Sequence, residues 1–200
     1  MARPFGELFY TLTNLVVATY NTETDVWGLP TFLQDGRMFG IEPEADTDKL
    51  ASYGTFAEGL TVLKGATLKF AGGGLDWEVL QRIATMDYSE SGLSGNRKRR
   101  AIVNAGGGGM GYFSAIGEAA TTTGGVAVFG MRKVKINNFP NIQLDGESNK
   151  FSSWETEGYG FTTRLGDGTY ELFVHETYED PADWTRPATA NDMGTFFNGA

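Results

Sequence analysis

The hydrophobic pattern divides this chain into short runs rich in Val, Ile, Thr, Phe and Tyr, separated by glycine-bearing turns. That texture predicts many strands joined by turns. The candidate strands span residues 15–20, 29–33, 37–41, 46–53, 61–70, 112–119, 125–136, 151–163 and 169–177. Gln34-Asp35-Gly36-Arg37 and Gly166-Asp167-Gly168-Thr169 have the composition of hairpin turns. Only one stretch has a helical period. Over residues 75–86, Leu75, Val79, Ile83 and Met86 form one stripe, flanked by Trp77 and Leu80, while Glu78, Gln81 and Arg82 face away. The expected fold is mainly β, a β-sandwich or partly rolled barrel with one flanking α-helix.

Within this pattern one run stands apart. Residues 41–48 read Ile-Glu-Pro-Glu-Ala-Asp-Thr-Asp. On an extended strand Glu42, Glu44, Asp46 and Asp48 point one way, and Ile41, Pro43, Ala45 and Thr47 the other. Glu155 and Glu157 repeat the alternation around Trp154, Thr156 and Gly158. Such a row suits a wall past which polyanions slide without sticking. It equally suits an edge strand whose charges block aggregation. A calcium loop fits less well, because the central glycine is missing and Lys49 stands where a ligand is wanted.

Charge sharpens this. The chain has 200 residues and a formal net charge of −9, which opposes tight nucleic-acid binding. The one basic cluster is Arg97-Lys98-Arg99-Arg100, at the end of a polar stretch (87–100) that reads as a long loop; it can serve as a solvated loop, as a phosphate contact, or as a contact to an acidic surface on another copy. There are no cysteines, which excludes disulfides and thiolate chemistry. No signal peptide and no membrane-length apolar run is visible.

Catalytic signals are absent. The sole histidine, His175, has no nucleophile or orienting acid beside it in any motif. Residues 104–111 are glycine-rich but are followed by a strand pattern, Tyr112-Phe113-Ser114-Ala115-Ile116, not the helix a phosphate loop requires. No catalytic, cofactor or metal residue is assigned. The expectation is a protein without enzymatic activity.

The order of these pieces carries a resemblance. Leu29-Pro30 leads to Gly40-Ile41-Glu42-Pro43-Glu44, then to an acid-and-Thr strand closing on Tyr53-Gly54. Thr61-Val62 to Phe70, the helix opening Leu75-Asp76-Trp77-Glu78-Val79-Leu80, and Gly111-Tyr112-Phe113-Ser114-Ala115 follow. Val126 to Ile136 and Trp154-Glu155-Thr156-Glu157-Gly158-Tyr159-Gly160-Phe161 complete it. This resembles the major tail, or tail tube, proteins of long-tailed, siphovirus-like bacteriophages with non-contractile tails. The resemblance implies a tube domain with strands contributed to an inter-subunit β-barrel; the chain's own pattern sets that domain over residues 15–180, between an N-terminal arm (1–14) and an extended, aromatic-bearing C-terminal arm (181–200), the latter and the Arg-rich loop at 94–100 departing from the family.

It further implies stacked hexameric rings in a virion tail, built in the bacterial cytoplasm. The partners are other copies, a tape measure and a tail terminator, with no membrane. Genomic DNA passes through without specific binding. In that frame Glu42, Glu44, Asp46, Asp48, Glu155 and Glu157 line the lumen, and Arg97, Lys98, Arg99, Arg100 and Trp184 make contacts between rings. The alternative is an acidic β-sandwich that decorates a virion by binding capsid or carbohydrate.

Overall fold

The structure, a computed structural model, describes residues 9–33, 36–52, 55–73, 76–84, 87–92, 98–102, 111–139, 141–143 and 153–199. In chain order the strands are β1 (Phe9–Asn21), β2 (Val26–Trp27), β3 (Thr31–Leu33), β4 (Gly36–Ser52) and β5 (Thr55–Gly73). Helix α1 (Trp77–Ala84) and strands β6 (Asp87–Ser91) and β7 (Lys98–Ile102) follow. Next come β8 (Tyr112–Thr121), β9 (Val126–Ile136), β10 (Asn141–Gln143), β11 (Ser153–Phe161), β12 (Thr163–Arg164), β13 (Tyr170–Glu171) and β14 (Val174–Tyr178). A 3-10 turn (Pro181–Asp183) and helix α2 (Ala190–Asn198) close the chain.

The mainly β expectation holds. One antiparallel sheet dominates, in the order β2-β1-β8-β9-β11-β5-β4, with β3, β10 and β14 paired at its margins. The sheet rolls but does not close. β4 comes against β1 without pairing to it. Phe39 of β4 crosses onto Gly117 of β8, where a Cβ would sit 2.4 Å from the Phe39 ring. Only glycine admits that approach.

Rolling creates an inside and an outside. The inside holds Leu15, Val17, Leu68, Phe70, Phe113, Ala115, Met131, Val134 and Trp154, and α1 plugs it with Val79, Leu80, Ile83 and Ala84. Asp76 caps α1, its carboxylate accepting from the Glu78 and Val79 amides. Leu75 and Met86 of the predicted stripe lie outside the described residues.

The outside is divided. Over β1, β8 and the first half of β9 it is covered by α2: Val16, Ala18, Ile116 and Val128 pack under Met193, Phe196 and Phe197. Over β4, β5, β11 and the end of β9 nothing among the described residues covers it. The boundary runs through a β-bulge, where Phe113 pairs with Val134 but Ala115 pairs with Met131. Arg132 and Lys133 therefore both sit on the outer side while Met131 and Val134 stay in the core.

Four expectations change. The two runs at 37–41 and 46–53 are one strand, β4, carrying Pro43 without a break. β4 ends the sheet order, and an edge strand tolerates proline. The polar stretch from 87 is not all loop, since β6 and β7 pair as a two-stranded ribbon. Residues 9–14 begin β1 instead of forming an arm. The C-terminal segment is not extended: it carries the 3-10 turn and α2, and it packs on its own chain.

Candidate functional site

The open half of the outer face is the candidate site. Register fixes who shares it. Glu42 pairs with Thr67 and Glu44 with Gly65 across β4–β5, while Lys69, Thr67 and Gly65 oppose Glu157, Tyr159 and Phe161 across β5–β11. Tyr159 in turn opposes Lys135 of β9. Directly opposed residues of an antiparallel pair lie on the same face. Glu42, Glu44, Glu155 and Glu157, four of the six carboxylates expected to line a lumen, therefore do share one exposed face. Asp46 and Asp48 lie further along β4, paired with Val62 and Leu60.

This face is not a bare row of carboxylates. The Lys69 ammonium stands 3.0 Å from both oxygens of Glu42 and 4.0 Å from Glu157 Oε1. Its hydrogen bond with Glu42, the charge of Glu42 and then the charges of Glu157 and Glu155 hold the lysine above its ordinary pKa. Glu44 accepts from the Thr67 hydroxyl at 3.0 Å. It also accepts from Tyr159, whose hydroxyl is raised by burial first and Glu44 second. Tyr159 reaches Glu44 by lying across Gly65, where a Cβ would meet its hydroxyl oxygen at 2.4 Å. Glu42 and Glu44 are thus tied sideways to groups on β5 and β11. Exposed contacts of this kind contribute little to stability; Lys69 cancels charge locally, while the Thr67 and Tyr159 hydroxyls only satisfy Glu44.

Beyond the glutamates lies a second band. Tyr112, Tyr159 and Phe161 are half-buried and meet edge to face, Tyr112–Phe161 at 5.8 Å and Tyr159–Phe161 at 5.1 Å. The Lys133 ammonium lies 4.9 Å from the Tyr112 ring centre and 5.8 Å from that of Phe161; Lys135 lies 5.6 Å from Tyr112. Sequence reasoning passed over Lys69, Lys133 and Lys135. The Lys-Val-Lys alternation at 133–135 is the same two-residue signal that marked the glutamates.

The remaining expected positions are scattered. Lys98 and Arg100 are exposed on β7, Arg99 sits opposite Glu90, and Arg97 lies outside the described residues. Trp184 is half-buried against Tyr178 and Phe196, at 5.5 and 5.7 Å. The glycine-rich run at 104–110 lies outside the described residues, and Tyr112 after it begins β8. His175 stacks on Phe129, ring centres 4.3 Å apart. Among the described residues no three His, Cys, Asp or Glu side chains converge to hold a metal ion.

No protein-family model matches the chain, and no curated protein matches it. Among solved structures, a chain of the anti-feeding prophage baseplate, determined with six-fold symmetrisation, aligns over 88% of this chain and 97% of its own at 10% identity and a TM-score of 0.45. A chain of the anti-feeding prophage tube-terminating cap covers 89% and 95%, at 6% identity and 0.47. A type six secretion system protein covers 83% and 94%, at 10% identity and 0.32. With TM-scores below 0.5, these likenesses carry no argument about what this chain does.

Proposed function

We propose that this chain is a structural tail tube subunit of a bacteriophage, without catalytic activity, that assembles into stacked hexameric rings and turns its open face to the lumen. One observation carries the reading: a broad sheet face left uncovered that, among the described residues, carries no exposed large apolar side chain of the kind that marks an adhesive surface. Its carboxylates are exposed, and Glu42 and Glu44 are tied laterally to Lys69, Thr67 and Tyr159. DNA moving along the glutamate band of such a wall meets polar groups that already have partners, and a negative rim at β4. In physiological salt the field of those charges reaches about 8 Å, so it acts on what touches the wall and not across a wide bore.

The rolled sheet supports the role in a second way. β11, the inner neighbour of β5, ends opposite Gly65. Beyond that point residues 45–52 and 55–63 are paired only with each other among the described residues. A two-stranded ribbon is marginal in water by itself and gains from strands supplied by neighbouring copies. The test is negative-stain microscopy of the concentrated protein. Annuli or tubes are expected; a monomer at every concentration would end this reading.

A further inference from the structure

The cationic band on the open face has no task in a wall that only repels. Lys69 illustrates the ordinary fate of a lysine here: it is bonded to Glu42 and its charge is cancelled. Lys133 and Lys135 differ. Among the described residues neither has a carboxylate within 4.0 Å, and each lies instead over an aromatic ring. A ring quadrupole holds an ammonium in place but does not neutralise it. In a chain of net charge −9, these are two fixed cations, side by side on one face, still able to take an anion.

We propose that Lys133 and Lys135, set on Tyr112 and Phe161, form a weak contact for the phosphate backbone of duplex DNA, beside the glutamate band. The inference rests on the reading of this face as a conduit wall and names what the cargo touches there. The chemistry selects phosphate over bases. Tyr112 carries both ammonium groups, and Phe161 is engaged by Lys133 and by T-shaped contacts with Tyr112 and Tyr159. Base stacking needs free ring faces, so a single strand gains nothing over a duplex.

Two phosphate contacts also set the strength. Each adds about −0.9 to the slope of log K against log salt, so the slope is about −1.8 and a tenfold rise in salt weakens binding about 60-fold. A contact of that size is sequence-blind and releases quickly. Cargo drawn by the lysine band and pushed by the glutamates is kept near the wall without being caught.

The experiment is fluorescence anisotropy of a short labelled DNA duplex with purified protein across a salt series, beside the same series with a single strand. The wild type is expected to bind weakly at low salt with a slope near −1.8. Lys133→Glu/Lys135→Glu abolishes this, and Lys133→Met/Lys135→Met weakens it with an unchanged circular dichroism spectrum. Glu42→Gln/Glu157→Gln binds at least as well as wild type. Equal binding by wild type and the reversed variant overturns the proposal, as does no binding at low salt, or a preference for the single strand. Loss of salt-sensitive self-association in the reversed variant, without any change in DNA binding, also overturns it and gives the two cations to a neighbouring copy's carboxylates. Annuli in the microscope with no response to DNA discard the band and keep the conduit. DNA binding by a protein that never assembles keeps the band and discards the conduit.

Discussion

Arg132 and Lys133 are adjacent in sequence, both cationic and both on the outer side of the sheet, yet they lead opposite lives. Arg132 falls on the covered half and is 2% exposed. Its Nε donates to Glu171 at 3.1 Å and its Nη1 to Asn198 at 2.8 Å, Asp25 lies 3.5 Å away, and Nη2 donates to the Phe197 carbonyl. The guanidinium also faces the Trp27 and Phe197 rings at 5.4 and 5.7 Å. Lys133 falls on the open half, and among the described residues its ammonium has ring contacts alone. Burial demands that a charge be fully partnered, whereas exposure lets it stand unpaired. The bulge that puts both residues outside is what allows one strand to serve a core and a surface within two positions.

The sharpest break of this comparison is the same substitution at both positions. Arg132→Met leaves Glu171, which is 11% exposed, without its partner and frees the carbonyl end of α2. Removing one member of a buried pair costs about 3–5 kcal/mol, and urea denaturation should show that loss. Lys133→Met should stay within about 0.5 kcal/mol of wild type, as for surface changes away from special features. Equal losses at the two sites would erase the distinction between the halves.

A second charge pair fastens the C-terminal segment. Glu118, 3% exposed, accepts from Arg186 Nε and Nη2 at 2.6 Å each and from Asn14 Nδ2 at 3.2 Å. Glu118→Gln keeps the shape and removes the charge. The expected loss is about 1–2 kcal/mol, at the low end for charged hydrogen bonds because Arg186 keeps part of its hydration. Chymotryptic cleavage after Trp184 should then begin before global unfolding, because this segment is what covers the sheet.

α2 itself supplies a smaller test and shows where sequence reading failed. Its nine residues include Gly194, Asn191, Asp192 and Thr195, all poor helix formers, and the segment reads as an arm. The signal was nevertheless present. Thr189 and Asp192 form a capping box, and Met193, Phe196 and Phe197 follow at helical spacing. Thr189→Ala should cost about 1 kcal/mol, read as a lower melting temperature. The capping bonds hold the Asp192 carboxyl below its usual range, so its contribution is present at neutral pH and fades as acid protonates it.

Alkaline pH reports on the covered half by a different group. Burial first, and the 2.6 Å hydrogen bond to Asp25 second, push the Tyr20 hydroxyl from 10.0 to about 12. A raised folded pKa means stability is intact below pH 10 and lost as pH climbs toward 12. Tyr20→Phe should flatten that alkaline loss in a pH series of denaturation midpoints. Tyr178, also raised to about 12 mainly by burial, keeps part of the slope.

Local pattern and non-local pairing divide what the chain discloses in advance. The two-residue period correctly set Glu42 and Glu44 on one side of β4, and Glu155 and Glu157 on one side of β11, because alternation is a property of a single strand. It could not say that Lys69 would stand between them, since its partners are 27 and 88 residues away and only the sheet order brings them together. A row of like charge when read in isolation becomes, in the folded chain, a ladder with one rung of alternating sign, Glu42–Lys69–Glu157. The ribbon β6–β7 escaped for another reason: Lys98-Arg99-Arg100 offers no apolar alternation to read.

That ladder gives the smallest and most local prediction. Lys69 owes its raised pKa to Glu42 first, then to Glu157 and last to Glu155. Glu42→Gln should lower the Lys69 pKa most, Glu157→Gln less and Glu155→Gln least, followed by NMR titration of the lysine side chain. None of the three should move the denaturation midpoint at neutral pH, because the pairs are exposed and solvent replaces what each substitution removes. The order matters more than the sizes. Coulomb attraction between exposed groups falls with distance and screening, so Glu42 at 3.0 Å must outrank Glu157 at 4.0 Å. An inverted order would mean that β4 and β11 exchange places as the nearer neighbour of Lys69 in solution. The open face would then be a mobile surface, while the covered half, held by Arg132 and Glu118, stayed fixed.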